Sequence, residues 1–173
     1  MLTTSVDMKQ NKSIQDFLKP QKGRVKQGYF TPRNPGKYKG DPTRVIYRSS
    51  WELKFLNYCD SNESVVAYAA EPVGIAYPNP VLKKDCTYWI DCYMETRSQD
   101  GSLIKWLIEV KPNKYLTPPA PPTRLTEKQT LNYARHAKAY IINHAKFKAA
   151  REYAASKGMR FGIITENFLF NKV

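Results

Sequence analysis

The sequence predicts an α/β domain over residues 41–173, with a central mixed sheet flanked by helices, and a basic arm over residues 1–40. Three observations lead to this reading. A helical period early in the chain is followed by several runs of strand composition. A much longer helical stretch then precedes one last strand. The first 40 residues stand apart, poor in large aliphatic side chains and rich in lysine.

The arm carries Lys9, Lys12, Lys19, Lys22, Arg24, Lys26, Arg33, Lys37 and Lys39, and Pro32, Pro35, Gly36 and Gly40 punctuate its later part. It reads as extended or partly disordered, with a short helix around residues 14–18. Regular structure is expected to begin near Ser49. Ser49 or Ser50 caps a helix through Trp51, Leu53, Phe55, Leu56, Tyr58 and Cys59, which ends at Asp60-Ser61-Asn62. Residues 65–70 and 73–77 follow as short strands, with Glu71-Pro72 between them and Pro78-Asn79-Pro80 closing the second.

Residues 86–95 and 103–111 form the clearest hairpin, joined across Ser98-Gln99-Asp100-Gly101, whose Asp-Gly pair favours a tight turn. A proline-rich loop covers residues 112–122. Thr126-Glu127-Lys128-Gln129 has capping-box spacing and opens a long helical region that reaches Lys157, with a break expected near Asn143 and Gly158 as its C′ residue. Residues 160–165 form the final strand.

The chain carries a formal charge of +13, and residues 1–48 hold eleven Lys and Arg against three Asp, which accounts for +8 of it. Such an excess makes nucleic acid the first partner to consider, although charge selects a partner and not a chemistry. No run of about 18 apolar residues predicts a membrane span, and the polar first ten residues lack the apolar middle of a signal peptide, so the protein is expected to act inside the cell. Cys59, Cys86 and Cys92 are odd in number and lack CxxC spacing, which argues against a disulfide framework or structural zinc.

Four polar residues resist this patterning. On the second hairpin strand, Ile104, Trp106, Ile108 and Val110 share one face, while Leu103, Lys105, Leu107, Glu109 and Lys111 share the other. Asp91 falls among aromatic residues, where an Asp is disfavoured and costly if buried alone. Glu52 aligns at helical spacing with Phe55, Leu56 and Cys59, on the apolar stripe. Each has a plainer explanation: an exposed Glu109–Lys111 ion pair, a strand-ending Asp91, a Glu52 favoured by the helix macrodipole. Together they place three carboxylates and a lysine toward a packed interior, a set that suits a shared hard divalent cation. His136 and His144 lack a third partner for a zinc site.

The set, in this order and on these elements, resembles the PD-(D/E)xK nuclease superfamily, whose restriction-endonuclease-like core runs α-β-β-β-α-β. The segment Tyr47-Arg48-Ser49-Ser50-Trp51-Glu52, followed by Glu71-Pro72, Ile75, Tyr77 and Glu109-Val110-Lys111, is similar to its TnsA-like branch, a pattern shared by head-completion nucleases of T4-like tailed phages. The proline expected before the motif aspartate is Ile90 here.

The resemblance implies a Mg2+-dependent deoxyribonuclease, with Mn2+ substituting, that trims or processes DNA during head completion. Asp91, Glu109, the Val110 carbonyl and Glu52 would hold metal, and Lys111 would orient or activate water. Arg48, Lys37, Lys39, Arg135 and Lys138 are the candidate DNA contacts. The resemblance further implies portal or head proteins as partners, and the host cytoplasm or the virion as location. The alternatives are the nuclease subunit of a transposition system and a non-catalytic DNA-binding virion protein.

Overall fold

Residues 27–170 are described by the computed structural model of the protein. Its elements are β1 (Gly28–Phe30), β2 (Val45–Tyr47), α1 (Ser50–Ser61), β3 (Val65–Ala70), β4 (Gly74–Asn79), β5 (Lys84–Trp89), β6 (Cys92–Arg97), β7 (Leu103–Val110), α2 (Glu127–Ser156), β8 (Arg160–Ile164) and α3 (Glu166–Phe170). The central sheet has the order β3-β6-β7-β8, antiparallel through β7 and parallel between β7 and β8. A parallel pair needs a long crossover, and α2 supplies it. The series α1-β3-β6-β7-α2-β8 is the α-β-β-β-α-β order of a restriction-endonuclease-like core, with the β4–β5 ribbon inserted between β3 and β6.

Both faces of the sheet are covered. On one, Cys92, Met94, Ile108 and Val110 pack beneath Phe55, Leu56 and Cys59 of α1. On the other, Leu107 packs with Ile75, Tyr77, Tyr88 and Ile90 around the β4–β5 ribbon and with Ala150 and Ala154 of α2. The face of β7 that carries Leu103, Lys105, Leu107 and Glu109 is open to solvent only at its start: Leu103 and Lys105 are exposed, while Leu107 and Glu109 are buried. Trp51, Phe55 and Tyr58 of α1 meet Phe168 and Phe170 of α3, a helix that the sequence patterning did not anticipate.

The caps follow the expected chemistry. Ser49 Oγ accepts from the Glu52 amide at 3.1 Å, and Thr126 Oγ1 accepts from that of Gln129 at 3.3 Å. Gly158 adopts φ +66° after α2. In contrast to the expected break near Asn143, α2 is continuous over 30 residues. Its apolar stripe passes through Phe147, Ala150 and Ala154, and packing outweighs the small helix penalty of one Asn. No helix among the described residues is long and apolar enough to cross a membrane. All three cysteines are free, with Cys59 and Cys92 buried.

Two further expectations are corrected. The strand read over 86–95 is two strands: β5 pairs with β4, β6 pairs with β7, and the chain changes sheets at Ile90-Asp91. Among the described residues regular structure begins at β1, ahead of Ser49, because β1 pairs with β2.

The segment that joins these two strands is tied to α1 through Asp60. Its buried carboxylate accepts from the amides of Arg33 (2.9 Å) and Asn34 (3.1 Å) and from the Tyr68 hydroxyl (3.0 Å). Residues 28–40 of the basic arm are thus packed on the domain. The short helix expected over 14–18, and the lysines before residue 27, lie outside the described residues.

Candidate active site

Asp91 occupies the crossing between the two sheets, and backbone bonds hold it there. Ile90 N–H donates to the Val73 carbonyl at 3.2 Å, and Glu71 N–H donates to the Asp91 carbonyl at 3.0 Å. The side chain reaches the end of β7, where the Val110 amide donates to Asp91 Oδ2 at 2.8 Å. Burial, and next the charge of Glu109, push the Asp91 carboxyl well above the ordinary aspartate range, while Lys111 opposes them.

Glu109 is 2% exposed and fully engaged. Its Oε2 accepts from the Tyr88 hydroxyl at 2.6 Å, and its Oε1 pairs with Lys111 Nζ at 2.7 Å. Burial and the adjacent carboxylate drive the Tyr88 phenol far upward, so it stays protonated and donates. Burial alone would lower the Lys111 ammonium. Glu109, Asp91 and Glu52 outweigh it, and Lys111 stands raised and charged. Asp91, Glu109 and Lys111 are thus brought together by the crossing and one strand end.

Glu52 enters from the opposite layer. Its side chain borders the same small cleft as Asp91, Cys92 and Val110, and its Oε2 accepts from the Arg48 amide at 2.7 Å. The carboxylate therefore serves the start of α1 while its charge still reaches Asp91. The Arg48 guanidinium is spanned by both oxygens of Glu71, one of them at 2.9 Å. Glu71 has φ +43° and, through its amide, also steadies Asp91. It links the Arg48 turn to the aspartate.

The candidate DNA contacts are dispersed. Lys37 donates to the carbonyls of Asp60 (3.1 Å) and Asn62 (2.8 Å) at the far end of α1 from Glu52, complementing the helix C-terminus. Lys39 is ion-paired with Glu95. Arg135 and Lys138 are half-buried on the first half of α2, where His136 meets Tyr115 of the loop after β7. His144 packs against Tyr140 and Phe147.

Two site residues were not singled out by sequence. Tyr88 was hidden because a continuous strand over 86–95 puts it on the face opposite Asp91, whereas the crossing turns it toward Glu109. Lys146 shares the buried side of α2 with Ile142, Ala149 and Tyr153, the same anomaly that marked Glu52. It is half-buried, and burial followed by the charge of Lys111 lowers its pKa.

Among the described residues no three His, Cys, Asp or Glu side chains stand close enough to form a metal cluster. Two carboxylates do converge. Asp91 and Glu109 are hard oxygen donors held close enough that the charge of Glu109 raises the cost of ionising Asp91, and the Val110 peptide lies against Asp91. That donor chemistry fits a hard divalent cation at the Asp91–Glu109 pair, with Glu52 outside the immediate donor set.

The chain is 34% identical over 142 residues to the head completion nuclease of Enterobacteria phage T4, a match covering 82% of this chain and 92% of that protein. The family model described as "TnsA-like endonuclease N terminal" matches residues 62–166, which include Asp91, Glu109 and Lys111 and leave out Glu52. A central mixed sheet flanked by helices, the paired carboxylates beside Lys111, and these two matches agree, and the chain belongs to the TnsA-like endonuclease family.

Proposed function

We propose that this protein is a Mg2+-dependent DNA endonuclease that trims or processes DNA during phage head completion, with Mn2+ able to substitute. The observation that carries the chemistry is the convergence of Asp91, Glu109 and Lys111 at one strand end. The phage setting is supported by the similarity to a head completion nuclease over 92% of its length. The charge of +13 suits a polyanionic substrate.

Asp91, Glu109 and the Val110 carbonyl would hold the ion, which supplies a Lewis acid for the phosphoryl oxygens and charge neutralisation when bound. Tyr88 and the Val110 amide fix the two carboxylates in place. Lys111, kept charged by its neighbours, donates a hydrogen bond to the attacking water or to a phosphate oxygen as negative charge develops there. It acts as an orienting cation and not as a base. Water oxygen bonds to phosphorus and releases its proton to solvent, the P–O3′ bond breaks, and the 3′ oxygen takes up a proton from solvent, so that the products carry a 5′-phosphate and a 3′-hydroxyl.

The test is incubation of purified protein with linear and circular duplex DNA, in Mg2+ or in EDTA, alongside Asp91→Ala. Cleavage that needs Mg2+ and Asp91 is the expected result. Equal activity in wild type and Asp91→Ala overturns the assignment.

A further inference from the structure

The chemistry proposed above leaves one cation at the site without a role. The Lys146 ammonium projects from α2 over the rings of Tyr88 and Tyr77, with 5.2 and 5.8 Å to their centroids. It lies within electrostatic range of Lys111, Glu109 and Asp91. Lys111, Lys39 and Arg48 each have a carboxylate partner. Among the described residues Lys146 has no ion pair and no hydrogen bond.

This placement is unfavourable for an ammonium. The ammonium is half-buried, near a second cation, on a stripe where Ile142, Ala149 and Tyr153 pack. The Tyr88 hydroxyl is already committed to Glu109, so that ring offers its face alone. A cation over aromatic faces recovers only part of the lost hydration. Two cations from different elements, Lys111 after β7 and Lys146 on α2, therefore stand near the Asp91–Glu109 pair, and only Lys111 has a carboxylate partner.

Resting on the nuclease reading of this site, we propose that Lys146 binds a DNA backbone phosphate next to the scissile one, on the α2 side of the Asp91–Glu109 pair. Tyr77 and Tyr88 hold its ammonium in position before DNA arrives. A single ammonium on a flexible stem acts as a point charge, so the contact sets register along the backbone and carries no base preference.

The experiment uses the full chain as wild type, Lys146→Met and Lys146→Arg with one linear duplex. Dissociation constants are measured in EDTA across roughly 50–200 mM salt, and steady-state cleavage is measured in Mg2+. Lys146→Met is expected to weaken binding and raise KM by about tenfold, and to reduce the slope of log affinity against log salt by about one. Its kcat stays within a few-fold of wild type and its Tm is not lowered. Lys146→Arg restores the slope and most of the affinity.

An unchanged salt slope in Lys146→Met overturns the proposal, as does a fall in Tm that Arg repairs without restoring the slope. Absence of cleavage by wild type speaks against the nuclease reading instead. The binding series decides the role of Lys146 either way, because it needs no turnover.

Discussion

Tyr88 and Glu109 come from different sheets, yet the tyrosine hydroxyl donates to the buried carboxylate across 2.6 Å. This contact fastens the β4–β5 ribbon to the end of β7. Tyr88→Phe keeps the packing and removes the donor. Stability should fall by about 1–2 kcal/mol, or roughly 3–6 °C for a chain of this size, and cleavage should fall about tenfold as Glu109 loses its orientation. Thermal melts and initial rates check both, and a variant indistinguishable from wild type in each would show the bond to be idle.

Asp91 is held in a site that disfavours its charge. Asp91→Asn retains an oxygen for the Val110 amide and removes repulsion with Glu109. In EDTA the variant should be more stable than wild type, by about 1 kcal/mol, while cleavage in Mg2+ is lost. Denaturant titration and a nuclease assay make the comparison. A less stable Asn variant would contradict the electrostatic account.

Lys111→Met leaves Glu109 with Tyr88 as its remaining partner. Cleavage should drop by about a hundredfold or more, whereas duplex affinity measured in EDTA should change by less than about tenfold. Retained kcat would exclude Lys111 from the chemistry.

Glu95 accepts hydrogen bonds from Lys39 and Tyr93, and these hold its carboxyl below the ordinary glutamate range, Lys39 contributing most. Because the folded pKa is depressed, its stabilisation is complete above about pH 4.3 and is lost as pH falls through the folded value. Lys39 is half-exposed, so solvent screening keeps the pair below about 1 kcal/mol. Lys39→Met should therefore lower Tm slightly at pH 6, and the difference should be smaller at pH 3. Melts at the two pH values test this.

Asp60 anchors the segment before α1. Asp60→Ala strands two amides and the Tyr68 hydroxyl, and should cost about 2–4 kcal/mol. Hydrogen exchange should rise over residues 28–40 while β6 and β7 remain protected. Uniform loss of protection would show that the segment does not open by itself.

Local patterning was enough for much of this protein. Ser49, Thr126 and Gly158 mark helix ends because capping is a local backbone requirement. Asp100-Gly101 marks the β6–β7 turn because Gly101 adopts φ +84°. Glu109 and Lys111 could be placed on one face from period two alone. Asp60 could not be recognised as an anchor of the segment before α1, since the two amides it holds there lie 26 and 27 residues away in sequence. Lys37 and Lys39 read as free charge for the same reason: their oxygen partners are remote along the chain.

What the sequence determined by itself is the fold class, the core order of helix, strands, helix and strand, and the anomaly of three charged residues, Asp91, Glu109 and Lys111. Each follows from residue type and spacing along the chain. Tertiary structure alone decided that the chain changes sheets at Asp91, that Tyr88 meets Glu109, and that Lys146 arrives from α2 beside Lys111. Those relations depend on how separate elements pack, and a period of 2 or 3.6 residues holds no information about which neighbour covers a face.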